Sequence, residues 1–502
     1  LKKRSRMIYL YQTRICLYKK SNVQKAYYKR EDQYVAKKLK KFKLYLSMKI
    51  TPTLCIAFAI ILSVQFNSNA QALEKQFSGR ELQEDFKAFR TKYESMLANL
   101  YLYTPKPQLD KVFDSLYQNI QPMTVTNFYT YITPVSSYIK DGHANIYLPE
   151  DVTEYNSEHA DYFPFNVYWH HDSLYISMNL SEDTTLKEGT EILDINGKSA
   201  KEIMDYLLAR QVRDGNNNQY PIWILNTYFR AYYGFHFGYP KTYTLSIKTG
   251  NNPPEIKQLK ALPRALIAQY KTARYPAQKK ESYFYIDTAT RTGIFTLKDW
   301  EEKGLKGRID EVFAQLKSQK AANLIIDVRD NQGGDFNPAI QLLSNLLKEP
   351  FEYFSDLKSV AGMSDSGLIL KTQTGKILGT QKPVKNPYTG KLYVLINGGC
   401  FSNTASFCSR IEYYKRGIFI GEETGGNKVV FSGVFGLKEK TVLPNTKIVC
   451  ENANYRMVVT DINENSGHGV VPTYSVIPTI EDILANKDVV MDYTLDLIKK
   501  AR

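Results

Sequence analysis

The sequence is short of cysteine, histidine and long apolar runs, and each shortage excludes a kind of protein. Only five of the 502 residues are Cys and six are His, and no CxxC or mixed Cys/His spacing indicates a zinc site. The longest apolar stretch, Thr53–Phe66, is shorter than the roughly 20 residues that a membrane-spanning helix needs. No repeat of about 20 to 50 residues is visible, which excludes repeat architectures. Because the Cys and His spacing is not that of a zinc site, we expect no metal site.

Three cysteines lie beyond residue 70, namely Cys400, Cys408 and Cys450. Because three is an odd number, at least one of these thiols has no partner among the other two. One disulfide, for instance between Cys400 and Cys450, is compatible with the sequence. Buried free thiols are the favoured interpretation for at least one of the three.

Excess positive charge is confined to the start of the chain. The net charge is +15, but residues 1–47 hold 15 Lys and Arg against only Glu31 and Asp32, and Lys49 adds one more. The sequence after Lys49 is close to neutral, so we expect no nucleic-acid partner for the folded part of the chain. With 43% hydrophobic and 23% charged residues, the composition is that of a globular protein with several domains.

The first 70 residues are predicted to precede the mature protein. Residues 1–47 form a basic leader that we do not expect in the mature chain. Residues 48–70 have the order of a secretory signal peptide: Lys49, then the apolar stretch, then small residues at a cleavage site near Ala70–Gln71. We therefore expect a secreted or periplasmic protein without stable membrane insertion after cleavage. A retained membrane anchor is the alternative.

The rest of the chain predicts a multidomain α+β protein. Residues 75–150 are predicted to form a helical N-terminal domain, because apolar residues recur there at spacings of three and four. Residues 163–260 predict a β-rich domain of short alternating strands, and residues 283–500 alternate strands with helices as α/β cores do. The apolar face of the first helix consists of Leu82, Phe86, Phe89, Tyr93, Leu97 and Leu100.

One turn in the β-rich domain has a specific signature. The stretch Glu188–Lys198 combines a glycine, an apolar strand and the turn Asn196–Gly197, and a helix at Ala200–Leu208 follows. Asn-Gly between two strands favours a tight hairpin. The stretch resembles the carboxylate-binding-loop half of PDZ domains, which implies a PDZ-like domain. An unrelated small β domain is the alternative.

Three loops of the α/β region follow apolar strands, where α/β folds place their sites. They span residues 327–335, 396–403 and 420–426, and each contains two adjacent glycines. Adjacent glycines allow the backbone to approach a ligand and to turn N–H groups towards it. In the second loop Ser402 opens a helix, whose N–H groups and partial positive charge favour an alkoxide or an oxyanion.

The order of these loops resembles the S41 serine peptidases, a family that includes tail-specific and tricorn-like proteases. The family pattern hhhDhRxNxGG fits Leu324–Gly334, the nucleophile pattern hhhhNxxxxS fits Leu392–Ser402, and hhGExTxG fits Phe419–Gly426. The closing pattern GxGhxPD fits Gly467–Thr473, with Thr in place of the final Asp. The resemblance implies an α/β catalytic core of the crotonase-like ββα type, with Ser402 as its nucleophile.

The family uses two different general bases, and this sequence favours histidine. In the tail-specific branch a Lys lies about 25 residues after the nucleophile, but Asn427 has that position here and Lys428 is one residue away. In the tricorn-like branch a His in a D-x-H context is the base, and Asp141–Gly142–His143 matches it. We therefore expect His143 to be the base, because an ordinary pKa near 6.5 leaves imidazole available to accept the Ser402 proton.

The resemblance also implies partners for the charges that develop during the reaction. We expect Glu464 to be the acid that orients the base, with Asp461 as its competitor. Backbone N–H groups of Gly333, Gly334 and Asn403 are expected to bind the oxyanion. Together with the nucleophile and the base, these residues complete the predicted catalytic site.

The sequence as a whole predicts a serine endopeptidase that hydrolyses polypeptides through an acyl-enzyme on Ser402, without a cofactor. The alternative is a catalytically silent binding module for peptides or apolar ligands, because the family contains modules of that kind. The two differ in whether Ser402 reacts. The oligomeric state does not follow from the sequence.

Overall fold

The chain can be followed over residues 74–276, 281–360, 377–433 and 440–501, which are the residues that this computed structural model describes. The leader and the signal peptide predicted at 1–47 and 48–70 lie outside them. The described residues belong to one compact unit that combines helices and sheets. The prediction of a mixed α+β fold is therefore confirmed.

The N-terminal region is built from amphipathic helices. Its first helix begins after Ser78, whose hydroxyl accepts the Glu81 amide at 3.3 Å while the Glu81 carboxylate accepts the Ser78 amide at 2.8 Å. Phe86 and Phe89 pack against Phe113 of the next helix, with ring centroids 6.1 Å apart in both pairs. The elements are α1 Gly79–Met96, α2 Lys106–Gln118, α3 Val125–Ile132, α4 Ser136–Ile139, β1 Ile146–Tyr147 and α5 Glu150–His159.

The β-rich region contains an antiparallel sheet and the hairpin that the sequence predicts. Its elements are β2 Asp161–Tyr162, β3 Phe165–His170, β4 Ser173–Asn179, β5 Glu191–Ile195, β6 Lys198–Ser199, α6 Ala200–Leu208, α7 Gln219–Phe237, β7 Thr242–Lys248, β8 Glu255–Lys260, β9 Leu262–Pro263 and α8 Arg264–Arg274. The sheet order is β3-β4-β5-β7-β8, and β6 pairs with β5. Between β5 and β6, Asn196 and Gly197 have φ of 53° and 81°, the positive values that a type I′ turn requires.

Helix α7 is a long element of this region that the sequence pattern did not predict. It has 19 residues and is rich in aromatic side chains, which individually favour strands. Leu225, Phe229 and Tyr233 are buried in the core that the sheet of the β-rich region also lines. Burial against the sheet therefore overrides the local preference, and the N-terminal end of α7 brings Tyr220 and Trp223 to the α/β core.

The α/β core is organised around a six-stranded sheet. Its elements are β10 Tyr283–Asp287, β11 Thr292–Thr296, α9 Leu305–Ser318, β12 Asn323–Asp327, α10 Phe336–Ser344, β13 Phe351–Glu352, β14 Asp356–Ser359, β15 Thr380–Gln381, β16 Lys391–Ile396, α11 Asn403–Tyr413, β17 Ile418–Gly421, β18 Val430–Gly433, β19 Lys440–Val442, β20 Val449–Glu451, β21 Tyr455–Val458, β22 Tyr474–Ser475, α12 Ile480–Leu484 and α13 Val489–Lys500. The sheet order is β10-β11-β12-β16-β17-β22, and all pairs except β10–β11 are parallel.

Both faces of this sheet are buried, which explains the continuous apolar runs of its central strands. On one face Ile325 and Tyr393 pack with Val490 of α13. On the other face Leu324 and Val394 lie in the core that α9, α10 and α11 share. The sheet is therefore a rigid support for the loops at its carboxyl edge.

The N-terminal region is joined to a segment near the other end of the chain. Strand β1 pairs antiparallel with β20, and Ile146 lies opposite Cys450. The Asp85 carboxylate accepts the backbone amides of Asn445 at 2.7 Å and Thr446 at 2.8 Å. These contacts fix the N-terminal helices against residues that follow the three glycine loops.

Cys400, Cys408 and Cys450 are free and buried, so the disulfide considered between Cys400 and Cys450 is absent. Their thiols lie among apolar side chains, as the alternative of buried free thiols predicts. Among the described residues, none of the helices has both the length and the apolar character needed to cross a bilayer.

Candidate active site

Ser402 lies at the carboxyl end of the parallel strands, in the loop between β16 and α11. It is the N-cap of α11 and has φ 54° and ψ −124°, a backbone conformation that is uncommon for residues other than glycine. The serine is partly exposed, whereas its neighbours Phe401 and Asn403 are buried. The loop therefore presents the Ser402 hydroxyl at the surface of an otherwise closed core.

Gly333, in the loop after β12, is where the first two glycine loops meet. It has φ 106°, and a side chain there would place its Cβ 2.9 Å from both Ser402 Cβ and the Asn403 amide nitrogen. Neither the backbone conformation nor the space admits a larger residue. The loop after β12 therefore lies directly against the loop that carries Ser402.

His143 reaches Ser402 from the N-terminal region. After α4 the chain turns at Lys140, which has φ 55°, and residues 141–143 enter the site. His143 Nε2 lies 3.1 Å from Ser402 Oγ, between residues that are 259 positions apart in the sequence. The imidazole stacks on Phe401 with ring centroids 4.7 Å apart. With the proton on Nδ1, this geometry lets the Ser402 hydroxyl donate to Nε2.

Two buried carboxylates hold the turn that carries His143. Asp141 accepts the His143 amide at 2.9 Å and also accepts the Ser432 hydroxyl. Asp214, from the connection between α6 and α7, accepts the Gly142 amide at 2.8 Å. In the sequence, Asp141 stands out only as part of the D-x-H match, and nothing marks Asp214, because a lone Asp before a Gly-Asn loop is typical of an ordinary turn.

Burial shifts the protonation of all three groups. It lowers the pKa of His143 to about 4, so the imidazole is neutral and able to accept a proton at neutral pH. Burial raises the pKa of Asp141 to about 6. Burial, with the nearby Asp141 charge, raises the pKa of Asp214 to about 7. The base is thus available, and the carboxylates change charge close to neutral pH.

The same three side chains have the donor types of a metal site. One ligand atom from each of Asp141, His143 and Asp214 lies within 4.8 Å of the others. Three of the four carboxylate oxygens already accept or share hydrogen bonds with Gly142, Asn427, His143 and Ser432, and Nε2 faces Ser402. We therefore interpret the cluster as part of the serine–histidine site.

Among the predicted oxyanion donors, the backbone N–H of Asn403 lies at the start of a helix. It is the first residue of α11, so its N–H has no partner within the helix. Its side chain is held by the Tyr353 hydroxyl at 2.5 Å and by a bond to the Asp335 carbonyl at 2.7 Å. The Gly333 amide instead donates to Asn331 Oδ1 at 3.0 Å, and Gly334 has φ 131°.

The structure does not bring Glu464 to the base. Glu464 and Asp461 are exposed, and Glu464 lies in the short 3-10 turn Ile462–Glu464. Among the described residues, His143 Nδ1 is buried without a hydrogen-bond partner, so neither acid contacts it. The distance along the chain from Glu464 to the closing motif does not show whether the Glu464 side chain is exposed. The orienting role of Glu464 therefore stays a prediction that only its variants test.

Lys428, the alternative base, is engaged elsewhere. Its Nζ lies 3.0 Å from a carboxylate oxygen of Glu412. At the neighbouring position, the Asn427 side chain donates to the Tyr103 hydroxyl at 2.8 Å. The hydrogen-bonding geometry at Ser402 thus favours His143 over the lysine.

Aromatic rings from the β-rich region extend the stack that begins at His143. Tyr220 lies parallel to Phe401 with ring centroids 4.0 Å apart. Phe401 also stacks on the imidazole of His143. Trp223 Nε1 donates to Asp330 Oδ1 at 2.8 Å. No sequence motif marks these two rings, because they belong to the helix that the pattern missed. They connect α7 directly to the loops of the site.

A cavity lies at the carboxyl ends of the strands, against the loops that follow β12, β16 and β17. Its volume is about 240 Å³, and Asp330, Asn397 and Glu422 line it together with Lys298 and Arg329. Burial raises the pKa of Glu422 to about 6. The third glycine loop, which contains Glu422, therefore contributes a partly desolvated acid to this cavity.

Comparison with known proteins identifies the core. Residues 291–476 match the profile of Peptidase family S41. This chain contains a domain of peptidase family S41. The resemblance seen in the sequence and the prediction of a serine-type peptidase are thereby confirmed at the level of the family, and Ser402 lies within the matched residues.

Individual relatives agree with this match and cover different parts of the chain. A tail-specific protease of Haemophilus influenzae (strain KW20 / Rd) is 28% identical over 127 residues, which are 25% of this chain and 16% of that protease. The chain thus spans only a small part of its curated relative. The crystal structure of mature CPAF has 14% identity and a TM-score of 0.59 and covers 84% of this chain and 97% of its own. Mature CPAF complexed with lactacystin has 15% identity, the same TM-score, and coverage of 84% and 98%. These structures share the fold.

Proposed function

We propose that this chain is a serine endopeptidase in which Ser402 is the nucleophile and His143 the general base. The observation that carries the proposal is the 3.1 Å contact between Ser402 Oγ and His143 Nε2. An activated serine needs a base within hydrogen-bond reach that is unprotonated at the working pH. The lowered pKa of His143, about 4, meets the second condition.

In the proposed reaction, Ser402 Oγ attacks the carbonyl carbon of the scissile peptide bond while His143 Nε2 takes the hydroxyl proton. Backbone N–H groups, with Asn403 and Gly334 as candidates, stabilise the negative charge on the carbonyl oxygen. His143 then gives the proton to the leaving amine as the C–N bond breaks, which leaves an acyl-enzyme on Ser402. Water, deprotonated by His143, releases the second product and restores the serine.

The family implies polypeptide substrates, and the β-rich region supports a narrower proposal. We infer that residues 163–260 act as a PDZ-like domain that receives chain ends, because the Asn196–Gly197 hairpin leads directly into α6 as the sequence resemblance requires. Residues 48–70 support export of the protein by a signal peptide cleaved near Ala70–Gln71. Sequencing the N-terminus of the protein from the periplasm tests the export proposal, and we expect it near Gln71.

Covalent labelling separates the peptidase from the binding module. A fluorophosphonate reacts with an activated serine, so we expect the full chain to be labelled at Ser402 and the Ser402→Ala variant to remain unlabelled. Ser318→Ala, which changes an exposed serine at the end of α9, is the matched control and should label normally. Peptide mapping by mass spectrometry identifies the site. A wild-type chain that resists labelling would favour the silent binding module.

A further inference from the structure

Two buried carboxylates share the surroundings of the base. Asp141 is 4% exposed and Asp214 3%, and one oxygen of each lies within 4.8 Å of a ring nitrogen of His143. His143 Nε2 faces Ser402. Among the described residues, His143 Nδ1 and Asp141 Oδ2 are both buried and have no hydrogen-bond partner. His143 Nδ1 and Asp141 Oδ2 are thus two buried polar atoms without hydrogen-bond partners in neighbouring side chains.

Asp214 ties the His143 turn to two other parts of the molecule. Its Oδ1 accepts the Gly142 amide at 2.8 Å, and its Oδ2 accepts the Asn427 amide at 3.2 Å. The residue itself belongs to the connection between α6 and α7 of the β-rich region. A single side chain therefore fixes the base against the loop that follows β17.

No cation from the described residues offsets these carboxylates. Burial is the main cause that raises both pKa values, the Asp141 charge raises that of Asp214 further, and the opposing causes are hydrogen bonds from Ser432 and from the amides of Gly142, His143 and Asn427. The other titratable groups that face the pair are phenols, and the charge of the pair raises their pKa values further: Tyr93, Tyr103 and Tyr220. His143 is therefore the group that can carry a balancing positive charge.

We propose that Asp141 and Asp214 form a positioning pair for His143: Asp214 holds the Gly142–His143 turn, and the pair supplies the negative charge that faces the imidazolium. The inference rests on the proposed function and deepens it. When Ser402 attacks, its proton moves to His143 Nε2 and stays there until the amine leaves, and the carboxylates take no proton. The pair thus has the role that the sequence assigns to Glu464, and part of it comes from the β-rich region.

A cluster of three close titratable groups behaves as a unit, and this gives the pair a measurable signature. A negative charge beside the imidazole raises the pKa of the base, whereas burial alone lowers it to about 4. The carboxyl pKa values of about 6 and 7 mean that the pair loses its charge as the pH falls through that range. Reactivity of Ser402 should fall with it.

The test is the rate of fluorophosphonate labelling at Ser402 of the full chain between about pH 4 and pH 9. For the wild type we expect a rise with a midpoint between about 6 and 7, the range of the two carboxyl pKa values. In the double variant Asp141→Asn/Asp214→Asn, the maximum rate should fall by about 100-fold or more, and the midpoint should move towards about 4. A double variant with the wild-type midpoint and a rate within about threefold would overturn the inference.

Asp141→Asn alone keeps the inference testable if the double variant does not fold. Its amide oxygen can still accept from the His143 amide and the Ser432 hydroxyl, so both contacts survive. Because Asp214 loses a neighbouring like charge, we expect the midpoint to fall by about half a unit or more. Asp496→Asn, an exposed carboxylate on α13, is the matched control. An unchanged midpoint in a folded Asp141→Asn variant would refute the pair.

Glu464→Gln and the wild type decide between the remaining outcomes. If Glu464→Gln moves the midpoint of the labelling profile and the variants of Asp141 and Asp214 do not, Glu464 is the orienting acid and the inference is wrong. If the wild type is unlabelled at every pH, the proposed function fails and the inference fails with it. If the wild type is labelled with a profile that ignores both aspartates, the inference alone fails.

Discussion

The two sides of the candidate site are held in different ways. Ser402 is placed by backbone: a buried parallel strand, a glycine bend and the start of α11 fix it within one region of the chain. His143 is placed by side chains from elsewhere, with Asp214 in the β-rich region and Ser432 in the α/β core holding its turn. The placement of Ser402 is therefore local, whereas the placement of His143 depends on the assembly of all three regions.

This difference matters for how the site fails. A change that leaves the core intact can disconnect the base without disturbing the nucleophile, whereas the reverse requires damage to the central sheet. Backbone placement also tolerates little variation, since the space around Gly333 is closed. Side-chain placement is graded, because each hydrogen bond or charge contributes separately.

The largest effect should come from removing either reacting group. Ser402→Ala and His143→Ala should each lower kcat on an unfolded polypeptide by about 10⁶-fold, and the double variant should be no worse, because nucleophile and base act as a unit. Initial rates with a fluorogenic protein substrate, at equal folded fraction by circular dichroism, provide the measurement. Losses that multiply in the double variant would mean that the two sides work independently.

A smaller but still severe effect is expected where the two glycine loops touch. Gly333→Ala places a Cβ 2.9 Å from Ser402 Cβ and the Asn403 amide at φ 106°, so we expect kcat to fall by roughly 100- to 1000-fold through misplaced oxyanion donors. Gly307→Ala is the matched control, because a Cβ there meets nothing within 4 Å. It should leave kcat unchanged and raise helix stability by up to about 1 kcal/mol. An active Gly333→Ala enzyme would contradict the closed backbone placement of Ser402.

The smallest effect is expected at the alternative base. Lys428→Ala removes a partly exposed ion pair with Glu412, and such pairs contribute only about 0–1 kcal/mol to stability. Because the lost ion pair contributes so little to stability, we expect kcat/KM to change by less than about threefold. A dead Lys428→Ala enzyme next to an active His143→Ala enzyme would transfer the role of base to the lysine and reverse the comparison drawn above.

The difference between backbone and side-chain placement also explains what the sequence could predict. The strands and glycine loops around Ser402 are encoded by neighbouring residues, so their pattern indicates both the core and the nucleophile. His143 was predicted as the base through its D-x-H context in the family. Asp214 was not, because its contact with Gly142 joins residues 72 positions apart and no local pattern records it.

Two other expectations depended on information that spacing does not contain. Helix α7 was missed because its aromatic side chains favour strands until the neighbouring sheet buries them. Glu464 was chosen by its distance along the chain from the closing motif, and that distance does not encode exposure. Exposure and partners arise from packing, and only the folded chain defines them.

The pairing of β1 with β20 determines when the site can exist. A chain made from its N-terminus has His143 early, but Ile146 finds its strand partner only when Cys450 has been synthesised. The bond between Asp141 and Ser432 likewise spans 291 positions. Such distant contacts form late in folding, because closing long loops costs entropy first. A growing or truncated chain therefore contains His143 and Ser402 without the distant contacts that hold the His143 turn, and the proposed hydrolysis requires those contacts to form.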